Sequence, residues 1–158
     1  MNILIAYYSR TNVTATIINE VVKEFSDEIN VDIEVIKDKK NRNGSINYLL
    51  SVIDAVRRKN TEIENIEKNP SDYDLLIIGT PVWAATMANP VLAYLNQIKD
   101  NVNDFATIIT AGSSGFEQTL NDIESIIGQK VITTLNISTK DRQSGYSEKI
   151  ANFVKKLE

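Results

Sequence analysis

Apolar residues in this chain gather in short unbroken runs that alternate with longer stretches where they recur at helical spacing. Asn2 to Tyr8 is the first run, bounded by a polar loop, and reads as a strand buried on both faces. From Thr14 to Glu28 the period changes: Ile17, Ile18, Val21, Val22 and Phe25 share one helical stripe, with Asn19, Glu20, Lys23 and Glu24 outside it. Val31 to Ile36 sets Val31, Ile33 and Val35 against Asp32 and Glu34, which predicts an edge strand with one wetter face. Lys37 to Gly44 is a charged, turn-rich loop. Ile46 to Arg58 carries Leu49, Leu50, Ile53 and Val56 at helical spacing, and Asn60 to Asp74 is polar with Pro70 as a breaker.

Leu75-Leu76-Ile77-Ile78 is the most apolar run and predicts a central strand. Pro90, suited to a first helical turn, leads into Val91, Leu92, Leu95 and Ile98. Phe105 to Thr110 predicts another buried strand, Phe116 to Ile127 an amphipathic helix stopped by Gly128, and Val131 to Ile137 a fifth strand. A closing helix over Ser147 to Leu157 presents Ile150, Phe153, Val154 and Leu157. Strands alternating with helices imply an α/β fold with a parallel sheet, and right-handed crossovers leave few arrangements. The expected architecture is a three-layer sandwich, a five-stranded parallel sheet in order 2-1-3-4-5 with helices on both faces.

Composition narrows what such a fold could do. At 158 residues the chain fits one domain, residues 1–158, with a core that needs no disulfide or metal. It contains neither cysteine nor histidine. That excludes thiolate metal sites, cysteine nucleophiles and the usual general base, so redox or hydrolytic chemistry needs a borrowed cofactor. The net charge of −4 argues against nucleic acid, and no stretch is long and apolar enough for a membrane span. A cytoplasmic, unprocessed protein is expected.

Three loops each follow a predicted strand and precede a helix, which puts them at one sheet edge, where ligands of open α/β sheets bind. The first, Ser9-Arg10-Thr11-Asn12-Val13-Thr14, combines hydroxyls with the free N–H groups of a helix start, a setting that suits a phosphate. The same hydroxyls suit a plain helix cap, and the loop alone does not decide between the two. It has neither the glycines and lysine of a Walker motif nor the glycines of a dinucleotide fingerprint. The second loop, Gly79-Thr80-Pro81-Val82-Trp83-Ala84, holds the chain's one tryptophan, better placed to stack on a flat ring than to fill the core. The third, Thr110-Ala111-Gly112-Ser113-Ser114-Gly115, offers a backbone that small residues leave accessible.

Together these loops resemble those of the flavodoxin family. The first is similar to that family's phosphate loop, a serine or threonine, any residue, then Thr-Gly-Asn-Thr, and the other two resemble its second and third flavin loops. The resemblance implies that flavin mononucleotide (FMN) is held by Ser9, Arg10, Thr11, Asn12, Val13 and Thr14 at its phosphate. Thr80 would add a hydroxyl there, Trp83 would lie against the ring beside Pro81, Val82 and Ala84, and Ala111, Gly112, Ser113 and Gly115 would meet the ring's carbonyls. Asn12 stands at the pattern's glycine and Val13 at its asparagine. Asn12 tolerates a left-handed backbone, whereas Val13 forfeits one hydrogen bond of about 0.5–1.5 kcal/mol. Ala84 and Ala85 leave the turn after Trp83 without glycine, which predicts weak stabilisation of the one-electron-reduced flavin. What the resemblance implies is a low-potential electron carrier meeting redox proteins through transient charge-guided contact, as a monomer or weak dimer. The alternatives are an FMN-dependent NAD(P)H:quinone-type oxidoreductase and a module that has lost FMN.

Overall fold

The computed structural model describes residues 1–39 and 61–158. The helix expected over Ile46 to Arg58 lies outside the described residues. Those described form β1 (Asn2–Tyr7), α1 (Val13–Glu24), β2 (Asn30–Val35), β3 (Leu75–Trp83), β4 (Thr86–Met87) and α2 (Asn89–Ile98). They continue with β5 (Asp104–Thr110), α3 (Phe116–Ile127), β6 (Thr134–Ile137), α4 (Thr139–Ser144) and α5 (Ser147–Lys155).

The main sheet runs β2-β1-β3-β5-β6, every pair parallel, and β4 folds back antiparallel on the end of β3. With that hairpin strand set aside, this is the expected 2-1-3-4-5 order. Side chains alternate between two cores along each central strand. Ile3, Ile5, Leu75 and Ile77 pack with Ile17, Ile18, Val21, Ile150 and Phe153 of α1 and α5. Leu4, Ala6, Leu76 and Ile78 pack with Val91, Tyr94, Leu95 and Ile123 of α2 and α3. The three layers follow from the sequence of apolar runs and stripes, because a strand apolar at every position must be covered twice.

Four elements depart from expectation. In β2 the alternation is inverted: Ile33 and Val35 are 37% and 44% exposed, while Glu34 is buried. The Glu34 carboxylate accepts the backbone N–H groups of Lys68 (3.0 Å) and Glu67 (3.4 Å), which offsets its removal from water. On the other face α1 has its main sheet contacts with β3 and β5, and in β2 Val31 is half-buried against that core while Ile33 and Val35 stay exposed. The last strand begins at Thr134 rather than Val131, since the Val131 N–H is taken by the Glu124 carboxylate at 3.1 Å. The short helix α4 was not expected. Finally, β3 continues through Gly79 to Trp83, so the expected second loop is in fact the rising arm of a β-hairpin.

Candidate functional site

At the carboxyl edge of the sheet the first loop leaves β1 through Tyr8, whose N–H donates to the Gly79 carbonyl at 3.1 Å. Asn12 stands just before α1 at φ 62°, the left-handed backbone expected of it. Its carbonyl accepts both the N–H and the hydroxyl of Thr16, each at 2.9 Å, which starts the helix. Ser9 Oγ accepts the Ala15 N–H at 3.3 Å. The amides of Val13 and Thr14 have no hydrogen-bond partner among the described residues, and Asn12 makes no side-chain cap. The helix is therefore capped at one amide and open at two, where its dipole favours an anion.

Thr11 and Asn12 are exposed beside these amides, and Ser9, Arg10 and Val13 are half-buried. Thr14 departs from expectation. Its side chain is buried, 1% exposed, and its Oγ1 shares a 2.9 Å hydrogen bond with Thr110 Oγ1 at the end of β5. That hydroxyl ties the first loop to the third. Gly79 makes the seat of α1 possible, because a Cβ there would fall 2.6 Å from both Ile18 Cδ1 and Tyr7 Cβ.

The hairpin pairs Val82 with Met87 and Trp83 with Thr86, so Ala84 and Ala85 form its two-residue tip. Both are exposed and both have positive φ, 48° and 64°, the sign a tight twisted hairpin demands at its two central residues. Thr80 is fully buried; its hydroxyl donates to the Pro81 carbonyl (2.9 Å) and accepts the Ala88 N–H (3.1 Å). It fastens the base of the hairpin, where the sequence suggested a hydroxyl for the phosphate. Trp83 is buried, where the sequence suggested an outward loop. Its ring is 6% exposed in the core beside Met87, edge-on to Tyr8 with centroids 5.4 Å apart, not an outward plate. Because β3 carries on to residue 83 before turning, the indole is still inside the sheet layer where the turn begins. Pro81 and Val82 are half-buried ahead of it.

The third loop is held from the far side of the sheet. The Ala111 N–H donates to the Ile137 carbonyl (3.1 Å), and the Gly112 carbonyl accepts the Thr139 N–H (2.9 Å). Thr139 opens α4, whose start is a reciprocal cap: Ser138 Oγ accepts the Asp141 N–H, and Asp141 Oδ2 accepts the Ser138 N–H at 2.7 Å. The Lys149 ammonium at 2.7 Å, then the Ser138 hydrogen bonds, hold the Asp141 carboxyl well below the usual carboxylate range. Gly112, Ser113 and Ser114 are exposed. A Cβ on Gly112 would meet open space, so its glycine freedom is unused, whereas Gly115 has φ 92° and lies against the hairpin.

An open helix start, a hairpin tip and a bare backbone loop thus share one sheet edge. A family model described as Flavodoxin matches residues 2–154. The chain belongs to the flavodoxin family. Among solved structures it is similar to a flavoprotein from Lactobacillus acidophilus NCFM in complex with FMN, at 21% identity and TM-score 0.69 over 90% of this chain and 97% of that one. It is similar also to a Bacteroides eggerthii DSM 20697 protein (14% identity, TM-score 0.78, 98% and 96% covered). A third is the Streptococcus pneumoniae TIGR4 flavodoxin (13% identity, TM-score 0.61, 99% and 97% covered). At such identities these likenesses concern the fold. Compared by sequence with curated proteins, the chain matches none.

This flavodoxin carries at its candidate site Ser9, Arg10, Thr11, Asn12 and Val13 from the first loop, Pro81, Val82, Ala84 and Ala85 from the hairpin, and residues 111–115. The sequence placed Ala85 in the turn after Trp83 without counting it among the site residues, and it did not show the support given by Thr110 and Gly79. Gly79 had a signal, a glycine inside an otherwise apolar strand, which marks close approach of another backbone or helix. Among the described residues no cluster of His, Cys, Asp or Glu is placed to hold a metal ion, and no helix is long and apolar enough to cross a membrane.

Proposed function

We propose that this flavodoxin binds one FMN at the three-loop edge and serves as a low-potential electron carrier in the cytoplasm. The observation that supports it most is the pair of partnerless amides, Val13 and Thr14, at the start of α1. A phosphate monoester is the group such a start accepts, with Ser9 and Thr11 hydroxyls beside it and the Arg10 side chain in the same loop. The donor set fits the phosphate end. For the ring end, Val82, Ala84, Ala85 and the backbone of residues 112–115 are the groups at hand, and Trp83 supports them from beneath.

Bound FMN supplies reversible one- and two-electron transfer. The chain's part is to bind and orient it and to tune its surroundings. Among the described residues of the candidate site, serine, threonine, asparagine, alanine, glycine, valine, proline and Arg10 offer hydrogen bonds, charge and contact but no carboxylate or imidazole for substrate chemistry, which favours a carrier over an enzyme. A net charge of −4 suits brief encounters with redox proteins through complementary charge.

Titration of the purified protein with FMN and, separately, with riboflavin tests the site. FMN should bind and quench, with riboflavin at least about tenfold weaker for want of its phosphate contacts. Equal affinity for the two would contradict the phosphate assignment. In the FMN-loaded protein, steady turnover of NAD(P)H with a quinone would contradict the carrier reading and favour an oxidoreductase.

A further inference from the structure

We infer that Gly115 is a positioning residue that sets where the tip of the β3–β4 hairpin stands, and through it the part of the site that borders the flavin ring. This rests on the FMN reading above. The hairpin is fastened at three places. Its base is held by the Thr80 hydroxyl, between the Pro81 carbonyl and the Ala88 N–H. Its returning strand is held by Thr86, whose hydroxyl donates to Asp122 Oδ2 at 2.6 Å while Gln118 Nε2 steadies Oδ1 at 2.9 Å. Its tip rests on Gly115, where a Cβ would fall 2.7 Å from Val82 Cγ1 and 3.2 Å from Ala85 Cα.

Asp122 belongs to α3 and Gly115 is the residue before it, so one helix carries both the returning strand and the tip. The tip needs such a hold. Two consecutive alanines in the left-handed region persist only where neighbours leave no alternative. The Val82 methyl at 2.7 Å must shift for any side chain at position 115, and Ala85 Cα at 3.2 Å, being backbone, gives way only if the hairpin tip moves by a few tenths of an ångström. Gly128 provides an internal comparison, with a similar left-handed φ of 82° but open space around its missing Cβ. Alanine there carries the backbone cost without the collision.

The test compares Gly115→Ala, Gly128→Ala, Val82→Ala and Gly115→Ala combined with Val82→Ala, the two single variants and the double closing a double-mutant cycle. In flavin-free protein the amide resonances of Ala84, Ala85 and Thr86 should move in Gly115→Ala and stay in place in Gly128→Ala. Affinity for FMN and for riboflavin should fall together, by about tenfold, because the disturbed contacts are those of the ring. The response of the Val13 and Thr14 amides to inorganic phosphate should be unchanged. Because Val82 itself borders the ring, the comparison is with Val82→Ala alone: adding Gly115→Ala to it should cost much less than adding it to the unaltered protein. Flavin binding in Gly115→Ala equal to that in Gly128→Ala, or no coupling to Val82, would overturn the inference. Should Gly115→Ala not fold, Asp122→Asn loosens the returning strand without adding bulk, and must weaken both flavins for the inference to stand. If the unaltered protein binds neither flavin, the FMN reading fails by itself. The flavin-free amide shifts then decide the inference: present in Gly115→Ala alone they uphold Gly115's hold on the hairpin, and absent they overturn it.

Discussion

Ala84 and Ala85 hold a backbone that costs an L residue about 1–2 kcal/mol each, in a turn where glycine or asparagine would be at ease. Ala84→Gly or Ala85→Gly should therefore stabilise the flavin-free protein, by about 0–1 kcal/mol once glycine's greater unfolded-state freedom is subtracted, read as a higher urea midpoint. A lower midpoint would mean that the tip is not strained. Gly79→Ala has the opposite sign. Its Cβ would strike Ile18 Cδ1 and Tyr7 Cβ at 2.6 Å, so a loss of about 1–3 kcal/mol is expected in the same measurement. At this scale the sequence was legible where residue type and backbone agree, as at Asn12, whose short amide tolerates φ 62°. At Ala84 and Ala85 the sequence showed a turn without glycine, but not that the turn is the tip of a hairpin, because strand pairing of β3 with β4 sets it. Trp83 misled for a related reason: its place after an apolar run suggested a loop, and only strand pairing carries β3 on to bury it.

Elements were read well where a single period ran unbroken. Residues Phe116–Ile127 with Gly128 beyond them coincide with α3 and its left-handed stop, because stripe and breaker agree. Short elements fixed by side-chain caps escaped notice, α4 above all, although Ser138 followed three residues later by Asp141 is a capping signature. In β2 the apolar pattern pointed the wrong way, since two backbone amides meet the buried Glu34 carboxylate while Ile33 and Val35 stay exposed on the other face. The α4 cap carries a pH prediction. Asp141 has its folded pKa depressed, so its contribution is complete above the unfolded value near pH ~3.9 and is lost as pH falls through the lower folded value. Urea midpoints should drop below pH ~4 in the unaltered protein and less steeply in Asp141→Asn, which at neutral pH should already have lost about 1 kcal/mol. Identical acid slopes would show that the cap is not the source.

For the whole molecule, the order of runs and stripes was enough to place the three loops together, because a parallel sheet sends every βα connection to one edge. How those loops divide their labour was not legible. Thr14 and Thr80 look like ligand-facing hydroxyls in one dimension, yet each is hydrogen-bonded within the fold, one to the end of β5 and the other at the hairpin base. Removing the first link should show the division. Thr14→Val leaves Thr110 Oγ1 buried without its partner and should cost about 1–3 kcal/mol in stability, while lowering FMN affinity little relative to riboflavin. A selective loss of FMN affinity would instead make Thr14 a phosphate contact.

The most direct measurement of the central claim follows the backbone amides of Val13 and Thr14 by nuclear magnetic resonance as FMN, inorganic phosphate and riboflavin are added in turn. Both resonances should move strongly with FMN, move in the same direction with inorganic phosphate, and respond little to riboflavin. Amides that ignore FMN and phosphate alike would contradict the assignment of the α1 start as the phosphate site.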